Sequence, residues 1–283
     1  MSRVIVYGNG KSRLKWDLKQ DLHDDIITWG CNRIYNDTVV DNLVAVDFHI
    51  SHMVYESGYA NNNKCWFASW NILPREFDIN HLVEQFDGQG CKIIENDKTN
   101  KIGKVVNGYF NPPITNKDGL YITWVSEDDM VEDIDFPKEW SSGTTAIHLA
   151  CQQGAKEIYL MGFDMSGRPI NNVYEEEQKN TYSSYPHFEM FDRNVLDNEM
   201  VKGIKKNAAH AGRLDEITKK LDELKRDLDA RPEWVQEMKM TMKEFSNVKF
   251  IWVEPDKRTK RLDMNNLTYD TYENVRKNIC QEH

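Results

Sequence analysis

Short apolar runs separated by turn residues fill the first half of the chain. Residues 4–7, 26–29, 43–46 and 65–70 are four such runs. They lack an apolar–polar alternation, which is the pattern of strands covered on both faces. Residues 96–118, NDKTNKIGKVVNGYFNPPITNKD, interrupt the series with Asn, Lys, Gly and Pro. This stretch predicts a long loop or small excursion, a length that in compact domains often serves function. A strand resumes at 121–125.

The clearest pattern lies at 141–167, SSGTTAIHLACQQGAKEIYLMGFDMSG. Ser141 or Ser142 can cap a helix whose apolar stripe is Ala146, Ile147, Ala150 and Cys151. Gly154 ends it in the position after the C-cap, and 156–161 reads as a buried strand closing on Gly162 and Asp164. A helix feeding a buried strand, after several such strands, predicts a Rossmann-like, doubly wound, mostly parallel α/β sheet. Ligands in these sheets sit at the carboxyl ends of strands. Three such ends carry small or polar residues: Gly8-Asn9-Gly10, Gly30-Cys31-Asn32 and Gly162-Phe163-Asp164.

From 194 to 245 the texture becomes helical and charged. Leu214, Ile217, Leu221, Leu224 and Leu228 follow a heptad seam of about two heptads, short of a coiled coil. A helix packed on the body, a lid, or an oligomer contact through 212–230 all fit. Pro232 breaks this helix, 233–245 predicts another, and 247–255 reads as a late strand. The division implied is a nucleotide-binding α/β domain at 1–190, a helical insertion or lid at 191–246, and a final strand and helix at 247–283 completing the α/β domain.

Composition narrows the class. At 283 residues the chain can bury a sizeable core. Its net charge of −10 argues against nonspecific nucleic-acid binding by the whole surface. Two basic clusters, 202–213 and 256–261, stand out against it, each most simply a solvated face or turn. The five cysteines are scattered, with no C-x-x-C pair, which points to a reducing cytosol. No run is apolar enough to span a membrane, and the first residues enter a strand directly, unlike a signal peptide.

The first turn, VIVYGNGKSR, raises the question of chemistry. A Walker loop would need its opening glycine at Ile5, and a dinucleotide fingerprint would need its third glycine at Arg13. What remains is a strand, a tight glycine turn and a helix start whose free N–H groups favour an anion, or else an ordinary βα turn.

Read together, VIVYGNGKS, IITWGCNRIY and EWSSGTTAIHLACQQGAKEIYLMGFD resemble the bacterial sialyltransferases of glycosyltransferase family 42 and the related domain of motility accessory factors. The resemblance covers roughly 1–55 and 139–190 and implies a nucleotide-sugar donor, a CMP- or UDP-sugar, with no metal or other cofactor. It implies nucleotide or donor contacts for Gly8, Asn9, Gly10, Asn32, Ser141, Ser142, Gly143, Gly162 and Asp164. An amide side chain suits a base edge or ribose because it donates and accepts. Asp164 can hold a ribose hydroxyl or fix its own loop. Asp47, at the end of the third strand, is a further polar wall residue; with His49 and His52 it matches no metal spacing. The Asp-x-Asp in EDIDF reads as an acidic loop.

Transfer to a hydroxyl needs a base and support for the departing phosphate. The resemblance places a His after the Gly-x-Asp, which makes His187 the first candidate and His210 the second, with Tyr174 as a phosphate donor if its loop is shifted. The departures are Lys11 for a Pro, Ser166 for a Tyr, and Glu139 where the sialyltransferases carry an Arg. A carboxylate at Glu139 would repel sialic acid. The acceptor can be a glycan, a protein or a DNA base, with Lys202, Lys205 and Lys206 as candidate contacts. The Asn-, Lys- and Met-rich style resembles that of phage proteins, and phage glycosyltransferases often decorate modified DNA bases. Two other functions fit: a magnesium-dependent pterin diphosphokinase with Asp47 and Asp164 as ligands, and a nucleotide-binding protein without catalysis.

Overall fold

The computed structural model describes residues 2–68, 70–73, 91–96, 101–106, 120–126, 128–135, 140–165, 172–174, 206, 216, 231–257 and 259–281. The strands are β1 (Arg3–Tyr7), β2 (Ile26–Cys31), β3 (Asn42–Ala45), β4 (Cys65–Phe67), β5 (Trp70–Leu73), β6 (Cys91–Asn96), β7 (Lys101–Val106), β8 (Leu120–Ser126), β9 (Val131–Asp133), β10 (Glu157–Met161), β11 (Lys249–Val253) and β12 (Leu267–Asp270). The α-helices are α1 (Phe48–Glu56), α2 (Ser142–Gln152), α3 (Pro232–Glu244) and α4 (Tyr272–Ile279).

Eight strands form one sheet in the order β12-β11-β10-β1-β2-β3-β4-β9, with every neighbouring pair parallel. Its central strands β1, β10 and β11 are mostly apolar because both faces are covered. On β1, Ile5 and Tyr7 join a core with α1 and α4, while Val4 and Val6 join a second core with α2 and α3. The chain is therefore a doubly wound α/β fold.

Three expectations are corrected. The run at 65–70 is two strands in two sheets, since the chain leaves the large sheet after Phe67. β7 lies within the stretch read as a loop; it pairs antiparallel with β6 and β8 in a second sheet of order β5-β8-β7-β6. Residues 247–283 hold two strands, β11 and β12, rather than one. Pro232 opens α3 at its first turn, where its missing N–H costs nothing, and the helix read before it lies outside the described residues.

α2 begins and ends as its sequence dictates. Ser141 caps it with Oγ accepting from Thr144 N–H, and Gly154 follows with φ of 90°. Against α3, His148 is fully buried between the rings of Trp140 and Phe245, with centroids at 5.6 and 5.2 Å. Burial pushes its pKa below the ordinary value, partly offset by Glu244. The folded state thus binds this proton less well than the unfolded chain. Its stabilising effect is present above about pH 6.5 and is lost as the pH falls below it. Between pH 7 and 5.5 the melting temperature of wild type should fall more steeply than that of His148→Phe. Parallel slopes would contradict a neutral buried imidazole.

Candidate nucleotide site

β1 is where the winding reverses: β2, β3, β4 and β9 lie to one side and β10, β11 and β12 to the other. The crevice outside such a reversal is the favoured ligand position. Here the loops after β1 and β10 touch. Gly8 N–H donates to Met161 C=O at 2.7 Å and Gly10 N–H to Gly162 C=O at 2.8 Å. A Cβ on Gly8 would lie 2.5 Å from Gly162 O, and one on Gly10 would lie 2.5 Å from Asp164 Oδ2. These glycines are required because two backbones run in contact.

Asp164, buried, ties the turn down. Its Oδ2 accepts from Ser12 N–H at 2.9 Å, its Oδ1 from Asp256 N–H at 3.0 Å, and its C=O from the Thr259 hydroxyl at 2.9 Å. Of the two roles that the sequence offers for Asp164, loop anchoring has three hydrogen bonds behind it. The same contact corrects another expectation. After the turn comes a short 3-10 helix, Lys11–Lys15, and its Ser12 N–H is already held by Asp164. A free helix N-terminus for an anion is therefore not what this turn presents. Lys11 is exposed.

Two asparagines at this reversal carry buried acceptors without partners among the described residues. Asn9 donates from Nδ2 to Cys31 C=O at 3.2 Å, while its Oδ1 is buried without a partner. Asn32, at the end of the neighbouring strand, has φ of 53°, and its Oδ1 is also buried without a partner. An unmatched buried acceptor costs about 1–3 kcal/mol. A non-glycine residue at positive φ is a further strain, of the kind that clusters at functional sites.

The other predicted contacts are placed as follows. Ser142 Oγ accepts from Val46 N–H at 3.1 Å and is buried. A Cβ on Gly143 would come within 3.1 Å of the Phe163 ring. Glu237 of α3 accepts from Ser141 N–H at 3.2 Å and from the Thr144 hydroxyl, so a carboxylate already balances the start of α2. No sequence signal marks Glu237. Asp47 begins α1, its C=O accepting from Ser51 N–H at 2.9 Å, while its carboxylate makes no capping bond. Asp47 is exposed, yet partial desolvation pushes its carboxyl above the usual range.

Tyr174 lies beside the turn. Asn172 bridges to Gly10, and Val173 N–H donates to Asn9 C=O at 2.8 Å. The Tyr174 hydroxyl donates to Asp37 Oδ2 at 2.6 Å and accepts from Arg13 Nη2 at 3.1 Å. Arg13 Nη2 also reaches Asp37 at 3.0 Å. Arg13 is 2% exposed, and its Nε and Nη1 are buried without partners. Burial pushes the phenol up, with Arg13 opposing, so Tyr174 stays protonated at neutral pH. Arg13 and Asp37 are additions that the sequence pattern does not reveal.

His187, His210, Lys202, Lys205, Glu139 and Ser166 lie outside the described residues, as do the side chains of His49 and His52. Lys206 is an exposed helical residue. Among the described residues no cluster of His, Cys, Asp and Glu could hold a metal, and no helix is long and apolar enough to cross a membrane.

No family model and no curated protein matches the chain. Solved structures of the sialyltransferase CST-II are similar to the chain. The complex with a trisaccharide acceptor and CMP is 13% identical, at a TM-score of 0.40, with 89% of this chain and 80% of that chain covered. Two substituted forms in complex with CMP are 14% and 12% identical, with TM-scores of 0.41 and 0.40. The first covers 89% of this chain and 81% of its own, and the second 98% of each.

Proposed function

We propose that this chain is a glycosyltransferase that takes a sugar from a nucleotide-sugar donor and passes it to a hydroxyl acceptor. The observation that supports this reading is the pair of unmatched amide oxygens, Asn9 Oδ1 and Asn32 Oδ1, at the reversal point of the sheet. Two acceptors there suit ribose hydroxyls or an exocyclic amino group. They sit on the two motifs, Gly-Asn-Gly and Cys-Asn, that carry the family resemblance. The reaction breaks the bond between sugar and phosphate and forms one to the acceptor oxygen, whose proton needs a base. His187 is assigned that role from its sequence position, and Tyr174 remains a protonated donor beside the turn.

Calorimetry with CMP, UDP and ATP, with and without magnesium, tests the reading. Binding of CMP or UDP without magnesium is the expected result. Magnesium-dependent binding of ATP alone would assign the chain to diphosphate transfer instead, and binding without donor turnover would leave a nucleotide-binding protein. Asn9→Ala should weaken nucleotide binding by about 1–3 kcal/mol, because it removes a ligand contact and the Cys31 anchor together. Lys11→Ala should change it little, and the reverse order would contradict the site.

The donor sugar is not a sialic acid on this reading, because Glu139 stands where an arginine would meet its carboxylate. Donor hydrolysis across a panel of nucleotide sugars decides this, and selective turnover of CMP-sialic acid would overturn it.

A further inference from the structure

The loop after β11 carries a basic run, Lys257, Arg258, Lys260 and Arg261, in a chain of net charge −10. A basic run of this kind is usually a solvated turn, but this one is pinned. Asp256 N–H and the Thr259 hydroxyl both bond to Asp164, and Thr259 N–H closes on Asp256 C=O at 2.8 Å. At its far end, Leu262 is buried, and its N–H and C=O both meet the Tyr269 hydroxyl, at 2.7 and 3.2 Å. The loop is therefore anchored at the same carboxyl end of the sheet as the glycine turn, joined to it through the Asp164 carboxylate.

Lys257 and Lys260 are exposed and make no ion pair among the described residues. Arg261 is exposed and lies over the Tyr269 ring at 4.6 Å. Tyr269 in turn stacks on the buried Trp252, at 5.7 Å and 20°. The column Trp252–Tyr269–Arg261 thus ends in an exposed guanidinium over the ring beneath it. A guanidinium plane stacks a nucleobase, and ammonium groups beside it meet phosphates. An acidic glycan would satisfy the lysines but offers no π face to the guanidinium.

We propose that Lys257, Lys260 and Arg261 bind single-stranded nucleic acid, with a base on Arg261 and the backbone on Lys257 and Lys260. Strand binding does not depend on the donor reading. Only the role of the strand as sugar acceptor rests on it.

Fluorescence anisotropy with a labelled mixed-sequence DNA 12-mer, without any nucleotide sugar, tests the surface. Wild type should bind at low salt. With two to three phosphates neutralised, affinity should fall about tenfold between 50 and 200 mM salt. Lys257→Gln/Lys260→Gln/Arg261→Gln should lose at least tenfold at unchanged melting temperature. Arg261→Lys keeps the charge but not the plane, so it should lose several-fold with the same salt slope. The duplex form, whose bases are already stacked, should bind more weakly than the single strand. Failure of wild type to bind, unchanged affinity in the triple variant, or binding of heparin but not of DNA would each overturn the proposal. None of these outcomes bears on nucleotide-sugar binding at Asn9 and Asn32.

Discussion

Gly162→Ala should lower the melting temperature by about 6–12 °C. Two costs add. Gly162 has φ of 75°, where an L side chain costs about 1–2 kcal/mol. The new Cβ would also lie 2.7 Å from Gly8 O, and a backbone atom cannot step aside as a flexible side chain can. Overpacking of this kind costs typically about 1–3 kcal/mol. The sum is roughly 3 kcal/mol, and each kcal/mol shifts a domain of this size by about 2–4 °C. Gly154 supplies the control. Its φ is 90°, but nothing lies within 4 Å of an added Cβ, so Gly154→Ala should show the strain cost alone. Equal losses in the two variants would mean that the loops after β1 and β10 are not in contact.

Asp37→Ala should destabilise the fold by about 2 kcal/mol. It removes the carboxylate from Arg13, whose side chain is 2% exposed, and takes the proton acceptor from Tyr174. Losing one partner of a fully buried pair costs about 3–5 kcal/mol. Asp37 is 37% exposed, so solvent screens part of the charge and the smaller figure applies. Adding Arg13→Met to Asp37→Ala should recover stability, because the stranded guanidinium is then gone. Denaturant unfolding of wild type and the two variants measures this. A double variant no more stable than Asp37→Ala alone would show that Arg13 is not a buried charge in need of a partner.

The parts of the fold legible in the sequence are those set by local chemistry. Buried parallel strands read as apolar runs, and Ser141 and Gly154 bracket α2 because capping is a matter of a few adjacent residues. β12 escapes that reading: it is an edge strand with only Leu267 buried, so its residues carry no run. β7 escapes it because lysines and a glycine interrupt its sequence, KIGKVV. The run at 65–70 misleads because burial looks alike in two different sheets. At the site, Asn9 and Asn32 are legible since each follows a strand end within a turn motif. Arg13, Asp37 and Glu237 are not. Their partners come from distant segments, and an arginine after a glycine turn looks like any surface residue. The partner of Asp164 is a backbone N–H, which every residue but proline offers.

Asp164 also fixes an order of events during synthesis. The turn at 8–12 leaves the ribosome first, yet β1 finds its second neighbour only when β10 is made, and the carboxylate of Asp164 fills its last bond only when Asp256 arrives. Pairings this distant along the chain carry a large loop-closure cost and form slowly. The growing chain therefore carries an unfinished turn until residue 256 has been made. A polypeptide that stops before β11 lacks the Asp256 N–H, so the shape of a turn near residue 10 depends on chain nearly 250 residues beyond it.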